Sequence, residues 1–501
     1  MFNWSKRTSS GFGCRAAVLS AAVGFGALTG FATASDFEVS ILIQDGDTLP
    51  GGLGTVSNVN DISVNDNGDW IVDVSLTGGS TNRALILNGD VWLAHGDPIA
   101  PDDSVSSVAN QLKALNSQGD VTFRPTLDQN GSGVYLNFTP LVLLNDITDS
   151  DKFAPDSNYA GFFRSRVTDD GDVLALVTIS DSVLGSRRTF VWLTLDERTG
   201  EVTEDVFLTR FDGAPGTETG VEINNINSGP STFNINAGGD VLFSTTLLDT
   251  PTDTNGALYY NDTLVARKGD ESPIAGSEYS NIGSTATRVD LNNTGDYIWL
   301  SQLTNQPTGT NQGIFRNNIF TDGPDEVVIQ RGDPAPGIPG ANVDLFGTGV
   351  QPQVTDNGDV LFYARLDGDA DFNQVLYRND QVILRKGETT VDGNLITTVC
   401  GTTASSNGIT QTLDASNNGD FAIVRVRFEN GNRAALLIDF TDVTECPLGD
   451  LNCDGVVNVF DLLILLENWG TCPPAGECIG DLNDDGVVNV FDLLILLENW
   501  G

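Results

Sequence analysis

The chain has 501 residues, with 25 Lys and Arg against 68 Asp and Glu, a formal net charge of −43 and a single histidine. So acidic a chain repels nucleic acid and anionic lipid surfaces and suits a saline, calcium-bearing exterior. The lone histidine, His95, removes most histidine-based catalysis, and the length predicts two to four domains.

Residues 1–34 read as a signal peptide. Lys6, Arg7 and Arg15, with no acid, precede or abut the apolar run "AAVLSAAVGFGALTGFATA", and Ala32-Thr33-Ala34 forms an A-x-A site before Ser35. Removing them leaves 22 basic and 68 acidic residues, a charge near −46. Cys14 lies ahead of the apolar run, a poor position for a lipoprotein cysteine. No later run is long and apolar enough to span a bilayer, so the expected location is secreted or at the cell surface, with no membrane span in the mature chain.

From residue 36 to about 445 one phrase recurs: "NDNGDWIV" at Asn65, "NSQGDVTF" at Asn116, "TDDGDVLAL" at Thr168, "NAGGDVLFS" at Asn236, "NNTGDYIWL" at Asn292, "TDNGDVLFY" at Thr355 and "SNNGDFAIV" at Ser416. The copies stand 51 to 68 residues apart (Gly68 to Gly119, Gly171 to Gly239). Each is a turn followed by alternating apolar residues, the pattern of a hairpin entering a strand. A second phrase alternates with it, as in "LAHGDPIAP" from Leu93, "ARKGDESPIAG" from Ala266 and "IQRGDPAPGIPG" from Ile329, with degenerate copies near Leu144 and Phe211. Short apolar strands such as "RALILN" and "QVLYRND" lie between the two.

Four strands per unit at this period predict a mainly β, seven-bladed β-propeller. The last unit lacks its fourth phrase, and the mature N-terminus supplies one: "EVSILIQDGDTLPGG" from Glu38 matches "EVVIQRGDPAPGIPG" from Glu326. The N-terminal strand is therefore expected to close the ring beside "RAALLIDF" around Ala434, leaving no open sheet edge. An open β-solenoid or a pair of β-sandwiches is the rival architecture. The alternation resembles secreted bacterial proteins with tandem N-x-x-G repeats, which implies architecture and no particular chemistry.

Residues 446–501 form a separate unit containing nearly identical segments, "GDLNCDGVVNVFDLLILLENWG" from Gly449 and "GDLNDDGVVNVFDLLILLENWG" from Gly480, which differ only at Cys453 and Asp484. Asp450, Asn452, Asp454, Val456, Asn458 and Asp461 stand at positions 1, 3, 5, 7, 9 and 12 of a calcium loop; Asp481, Asn483, Asp485, Val487, Asn489 and Asp492 repeat them. Calcium is a hard cation that takes six to eight oxygens, and Gly455 and Gly486 permit the bend at position 6. Two calcium ions are expected. The pair resembles a type I dockerin, with two loop-plus-helix repeats and Asp at position 12. That resemblance implies a cohesin-like partner. Positions 10 and 11 are the apolar Val459-Phe460 and Val490-Phe491, which leaves another cell-surface partner open. One helix cannot bury Leu462, Leu463, Ile464, Leu465, Leu466 and Trp469 alone, so a second, antiparallel copy is expected to cover them.

Five cysteines follow the signal segment: Cys400, Cys446, Cys453, Cys472 and Cys478. The last four permit three disulfide pairings, with Cys400 as the odd one; a zinc site is the rival. Other signals read as structural. Arg331-Gly332-Asp333 is a copy of the second phrase, His95 is a variant within it, and Asp367, Asp369 and Asp371 occupy a loop. The aspartates after each repeated glycine (Asp69, Asp120, Asp172, Asp240, Asp296, Asp359, Asp420) are too equivalent for acid–base work, which needs unequal groups, so no catalytic residue is assigned. Two functions follow. One is a secreted, non-catalytic binding or scaffold protein, its propeller taking a polysaccharide or protein ligand and its tail docking through calcium. The alternative is a polysaccharide-degrading enzyme, a glycoside hydrolase or lyase on a propeller.

Overall fold

The computed structural model describes residues 37–500 except 101–102, 108–113, 230, 285, 322, 348–349, 401–410, 442–447, 452–455, 473–477 and 484–485. The signal segment and the loop positions Asn452, Asp454 and Asp485 lie outside the described residues. The chain divides into a unit spanning Asp36–Thr444 and a second containing Glu445–Gly501. Among the described residues, no helix is long and apolar enough to cross a membrane.

The first unit is a β-propeller of antiparallel sheets. A typical sheet runs Arg288–Leu291, Asp296–Gln302, Gln312–Asn318 and Glu326–Gln330, each strand pairing with the next. The N-terminal strand Glu38–Gln44 lies antiparallel against Arg433–Asp439, with Ile41 opposite Leu436 and Gln44 opposite Ala434. It forms the outer edge of the final sheet, beside Phe421–Phe428 and Asn394–Val399. Val39 and Ile41 pack into the core of that sheet, and Ile43 into the core of the first.

The count of seven is corrected: the described residues of this unit form eight sheets. Arg124-Pro125 interrupts the second repeat, and proline has no N–H for a ladder. Val121–Phe123 pairs with Ala114–Leu115, whereas Thr126–Leu127 pairs with Asp103–Ser107 and joins a three-stranded sheet of its own with Pro98–Ala100. Seven inner strands nevertheless precede the seven Gly-Asp turns, and residues of all seven line one cavity.

Both phrases have physical roles. In the first, the side-chain oxygen of Asn116 accepts from Gln118 and Asp120 N–H, fixing the turn, while its Nδ2 donates 2.8 Å to Thr168 O of the next repeat. Asn65 reaches Asn116 O, Asn236 reaches Asn292 O, and Asn292 reaches Thr355 O in the same way. The following aspartate joins this turn to the hairpin within its own sheet: Asp240 accepts from Asn236 Nδ2 at 3.0 Å and Asn261 Nδ2 at 2.9 Å. Burial works against the Asp240 charge, but these bonds and one from Tyr260 outweigh it and hold its pKa low. Asn261 takes φ 53°, a left-handed conformation that asparagine tolerates better than most residues. In the second phrase the aspartate accepts from the N–H three residues earlier, as Asp47, Asp97, Asp146, Asp212, Asp270 and Asp333 all do. Asn145 and Phe211 adopt φ 73° and 75° where the regular copies have glycine, which identifies the degenerate copies.

The second unit holds two nine-residue helices, α1 (Val459–Glu467) and α2 (Val490–Glu498). Asn458 and Asn489 cap them, each completing a capping box with the aspartate at the third helical position. Gly449 packs against Leu496 and Gly480 against Leu465, a reciprocal contact between the repeats at positive φ.

Candidate functional site

The axial cavity has a volume of about 90 Å³. The strand period of two points every second residue inward, which stacks residues in layers. The outermost layer is the turn ring of Asn65, Asn116, Thr168, Asn236, Asn292, Thr355 and Ser416. The next includes Ser63, Arg166, Asn234, Asp290, Gln353 and Asp414, and all of these line the cavity. One step deeper stand Asp61, Arg164, Thr232, Arg288, Gln351 and Thr412, all buried. Asp66 and Asp169 sit at the mouth. Burial raises the Asp66 pKa, and the Asp169 charge adds to the rise.

Two carboxyls across this axis are displaced toward neutrality. Burial pushes Asp290 up to about 7, against hydrogen bonds from Val354 N–H (2.8 Å) and Asn234 Nδ2 (2.6 Å); the Asp414 charge adds to the rise. Burial likewise pushes Asp414 up to about 6, against bonds from Ser63 Oγ (2.8 Å) and Val64 N–H (3.0 Å). Asp414 keeps some accessible surface because it borders the cavity, yet protein surrounds it, and that enclosure sets its pKa. Arg166 donates to Asn234 at 2.7 Å, so a chain of bonds runs Arg166–Asn234–Asp290. The sequence reading assigned none of these residues. Their only sequence signal is a charged residue two places before the turn residue, where other repeats carry Ser63, Ala114 or Gln353.

The aspartates after the repeated glycines are turn supports. Asp296 accepts from Asn292 and Asn318, and Asp359 from Asn379 and Arg378. In the adhesion-like tripeptide, Arg331 pairs with Asp344 at 3.2 Å and Asp333 closes a turn. Asp367 accepts twice from Asn342.

In the tail, Asp461 and Asp492 are fully buried. Asp461 accepts 2.8 Å from Leu451 N–H and 2.7 Å from Asn458 N–H; Asp492 repeats this with Leu482 and Asn489. Asp450 is 2% exposed, and Asp481 Oδ2 accepts from Gly486 N–H at 2.8 Å, folding position 6 over position 1. Asn458 and Asn489 turn their side chains to cap the helices, each Oδ1 accepting from the N–H two residues on. Val456 O and Val487 O accept from the Nδ2 of those asparagines, and Asn483 is exposed. Residues 445–501 contain eleven Asp and Glu and no Lys, Arg or His. This donor set, oxygen-rich and without any cation, fits a hard divalent ion.

The expectation that the two helices cover each other is corrected. Leu465 and Leu496 are fully buried with Val457 and Val488, while Leu463, Leu466 and Trp469, and their equivalents Leu494, Leu497 and Trp500, stay 46–51% exposed. Cys472 and Cys478 form a disulfide, and Cys400 is free and buried; Cys446 and Cys453 lie outside the described residues. Asp481 lies beside Cys472 and Cys478, but their sulfurs are bonded to each other and offer no thiolate to zinc.

Residues 144–423, more than half of the chain, match a family of unknown function (DUF7453). The chain belongs to this family. No curated protein matches it. Among solved structures, it is similar to a Penicillium chrysogenum alpha-L-arabinanase at 9% identity and a TM-score of 0.31, covering 81% of this chain and 99% of that one. A puromycin-hydrolyzing peptidase of Mycobacterium tuberculosis is similar at 14% identity and a TM-score of 0.39 (80% and 54% covered), and the polysaccharide lyase Uly1 at 10% and 0.36 (81% and 98% covered). At these scores the reading of this DUF7453 member's function rests on its own residues.

Proposed function

We propose that the propeller acts on a polysaccharide through its axial cavity, as a glycoside hydrolase or lyase. One observation carries this reading: Asp290 and Asp414, coupled across one cavity, are raised to about 7 and about 6. Two carboxyls with displaced and unequal pKa values are what acid–base cleavage requires. Arg166 adds a cation to the same cavity, which lyase chemistry on an acidic sugar uses. The test is the full chain on a panel of neutral and uronate polysaccharides, followed by new reducing ends and by ultraviolet absorbance of unsaturated ends. Asp290→Asn and Asp414→Asn are each expected to lower turnover by about 100-fold or more. Equal turnover in both variants, or no product from any polymer, sinks the reading.

A second reading is a non-catalytic binding or scaffold protein. It is favoured by the occupancy of both carboxylates, since each accepts a backbone N–H from the neighbouring inner strand, at Val354 and Val64. On this reading the same substitutions lower the melting temperature and leave ligand binding in place. The tail is proposed to bind two calcium ions and to dock on a cohesin-like or other cell-surface protein. Its matched exposed faces support this, with Phe460 61% and Phe491 62% exposed.

A further inference from the structure

Among the described residues five arginines are buried; Arg187 pairs with Asp181, and the other four are Arg164, Arg166, Arg288 and Arg425. Arg164 is 3% exposed, and its Nη1 and Nη2 are buried without a hydrogen-bond partner. A guanidinium has five N–H donors, and leaving them unmet in the interior is costly. Arg164 and Arg166 occupy consecutive inward positions of the strand Asn158–Val167, with no register shift between them. Arg288 stands at the equivalent position on Arg288–Leu291, and the charges of Arg166, Asp61 and Arg288 act on Arg164.

The carboxylates of the region do not balance them. Asp61 accepts from Gln411 N–H at 2.9 Å and shares its field with Arg83 and Arg425 as well as Arg164. Asp290 and Asp414 belong to the layer of Arg166, and burial moves both toward their neutral forms. Among the described residues four arginines thus face three carboxylates, and burial disfavours the charge on Asp290 and Asp414. Arg166, two residues beyond Arg164, borders the axial cavity of about 90 Å³, room for a few waters or a compact ion.

We propose that the propeller axis holds a site for a compact monovalent anion, a halide or a small carboxylate, bound by the Nη groups of Arg164 between Arg166 and Arg288. The anion supplies the acceptors that Arg164 lacks and offsets the repulsion among the three guanidiniums. The site does not depend on the polysaccharide reading.

The test uses the full chain at constant ionic strength, with thermal unfolding measured in sodium chloride, sodium formate and sodium gluconate, the last too large to enter. A saturable rise of ~3 °C in chloride or formate over gluconate is expected, because an ion bound only by the folded state stabilises it. A rise with formate alone assigns the site to a carboxylate, and one with chloride to a halide. Arg164→Met is expected to remove the difference between the salts. Should that variant fail to fold, crystals of the unmodified protein soaked in bromide decide, through an anomalous peak within hydrogen-bond reach of Arg164 Nη1 or Nη2. Equal melting in all three salts together with no such peak overturns the proposal, as does a variant that keeps the salt difference.

Discussion

The propeller and the tail both repeat one short segment, and they hold their repeats together by opposite means. In the propeller the joining group is a neutral amide: Asn65, Asn116, Asn236 and Asn292 each carry one hydrogen bond to the next repeat's backbone. In the tail the corresponding group is a buried carboxylate, Asp461 or Asp492, tying its loop to its own helix. An amide clasp is complete when its neighbour is in place. The buried carboxylates of the tail stand in a stretch, residues 445–501, that contains no Lys, Arg or His. Ring closure completes the first kind of repeat, and the second suits the added cation proposed for it.

The comparison breaks most sharply at the ring seam. Deleting residues 36–47 removes the strand paired with Arg433–Asp439 and uncovers a seven-residue edge. Aggregation or a drop of more than about 10 °C in melting temperature is expected; a truncated chain as stable as the parent rules out closure as the source of stability. The tail is the next test. Calorimetry of the full chain with calcium after chelation is expected to show two sites of about micromolar affinity or tighter, and Asp450→Ala with Asp481→Ala is expected to abolish them. No calcium heat removes the proposed difference between the two kinds of repeat.

Single clasps come third. Asn292→Ala and Asn116→Ala are each expected to cost ~1–3 kcal/mol in urea unfolding, because a buried carbonyl loses its partner and a turn loses its brace. Effects below a few tenths of a kcal/mol return the stability to the hydrophobic cores alone. The smallest effect is on pH. Asp290 and Asp414 bind protons more tightly folded than unfolded, so between about pH 4 and pH 7 the folded state carries the extra protons. Stability is therefore expected to fall by a few °C as pH rises through this window, and Asp290→Asn with Asp414→Asn flattens the slope. Acids whose pKa is lowered, such as Asp240 and Asp344, lose their contribution only as pH falls below about 4.

Much of this architecture was legible in the chain. The N-x-x-G phrase, the alternating strands and the match of Glu38 to Glu326 depend on local turn chemistry and period, and these pointed to the propeller and to the strand that closes it. The segment repeated from Gly449 and from Gly480 likewise marks the two helices, Val459–Glu467 and Val490–Glu498. Local pattern missed what depends on distant partners. Pro125 cuts one strand into two that pair with different neighbours, which turns seven repeats into eight sheets. Leu463, Leu466 and Trp469 stay exposed because two nine-residue helices are too small to enclose them. Asp290 and Asp414 are 124 residues apart in the chain and share a cavity only because the sheets circle an axis. Their pKa values, and the unmet nitrogens of Arg164, come from burial among side chains of other repeats. Sequence determined each turn and strand through short-range geometry; only the closed ring decided which charges meet on the axis, because burial and Coulomb interaction depend on separation in space and not along the chain.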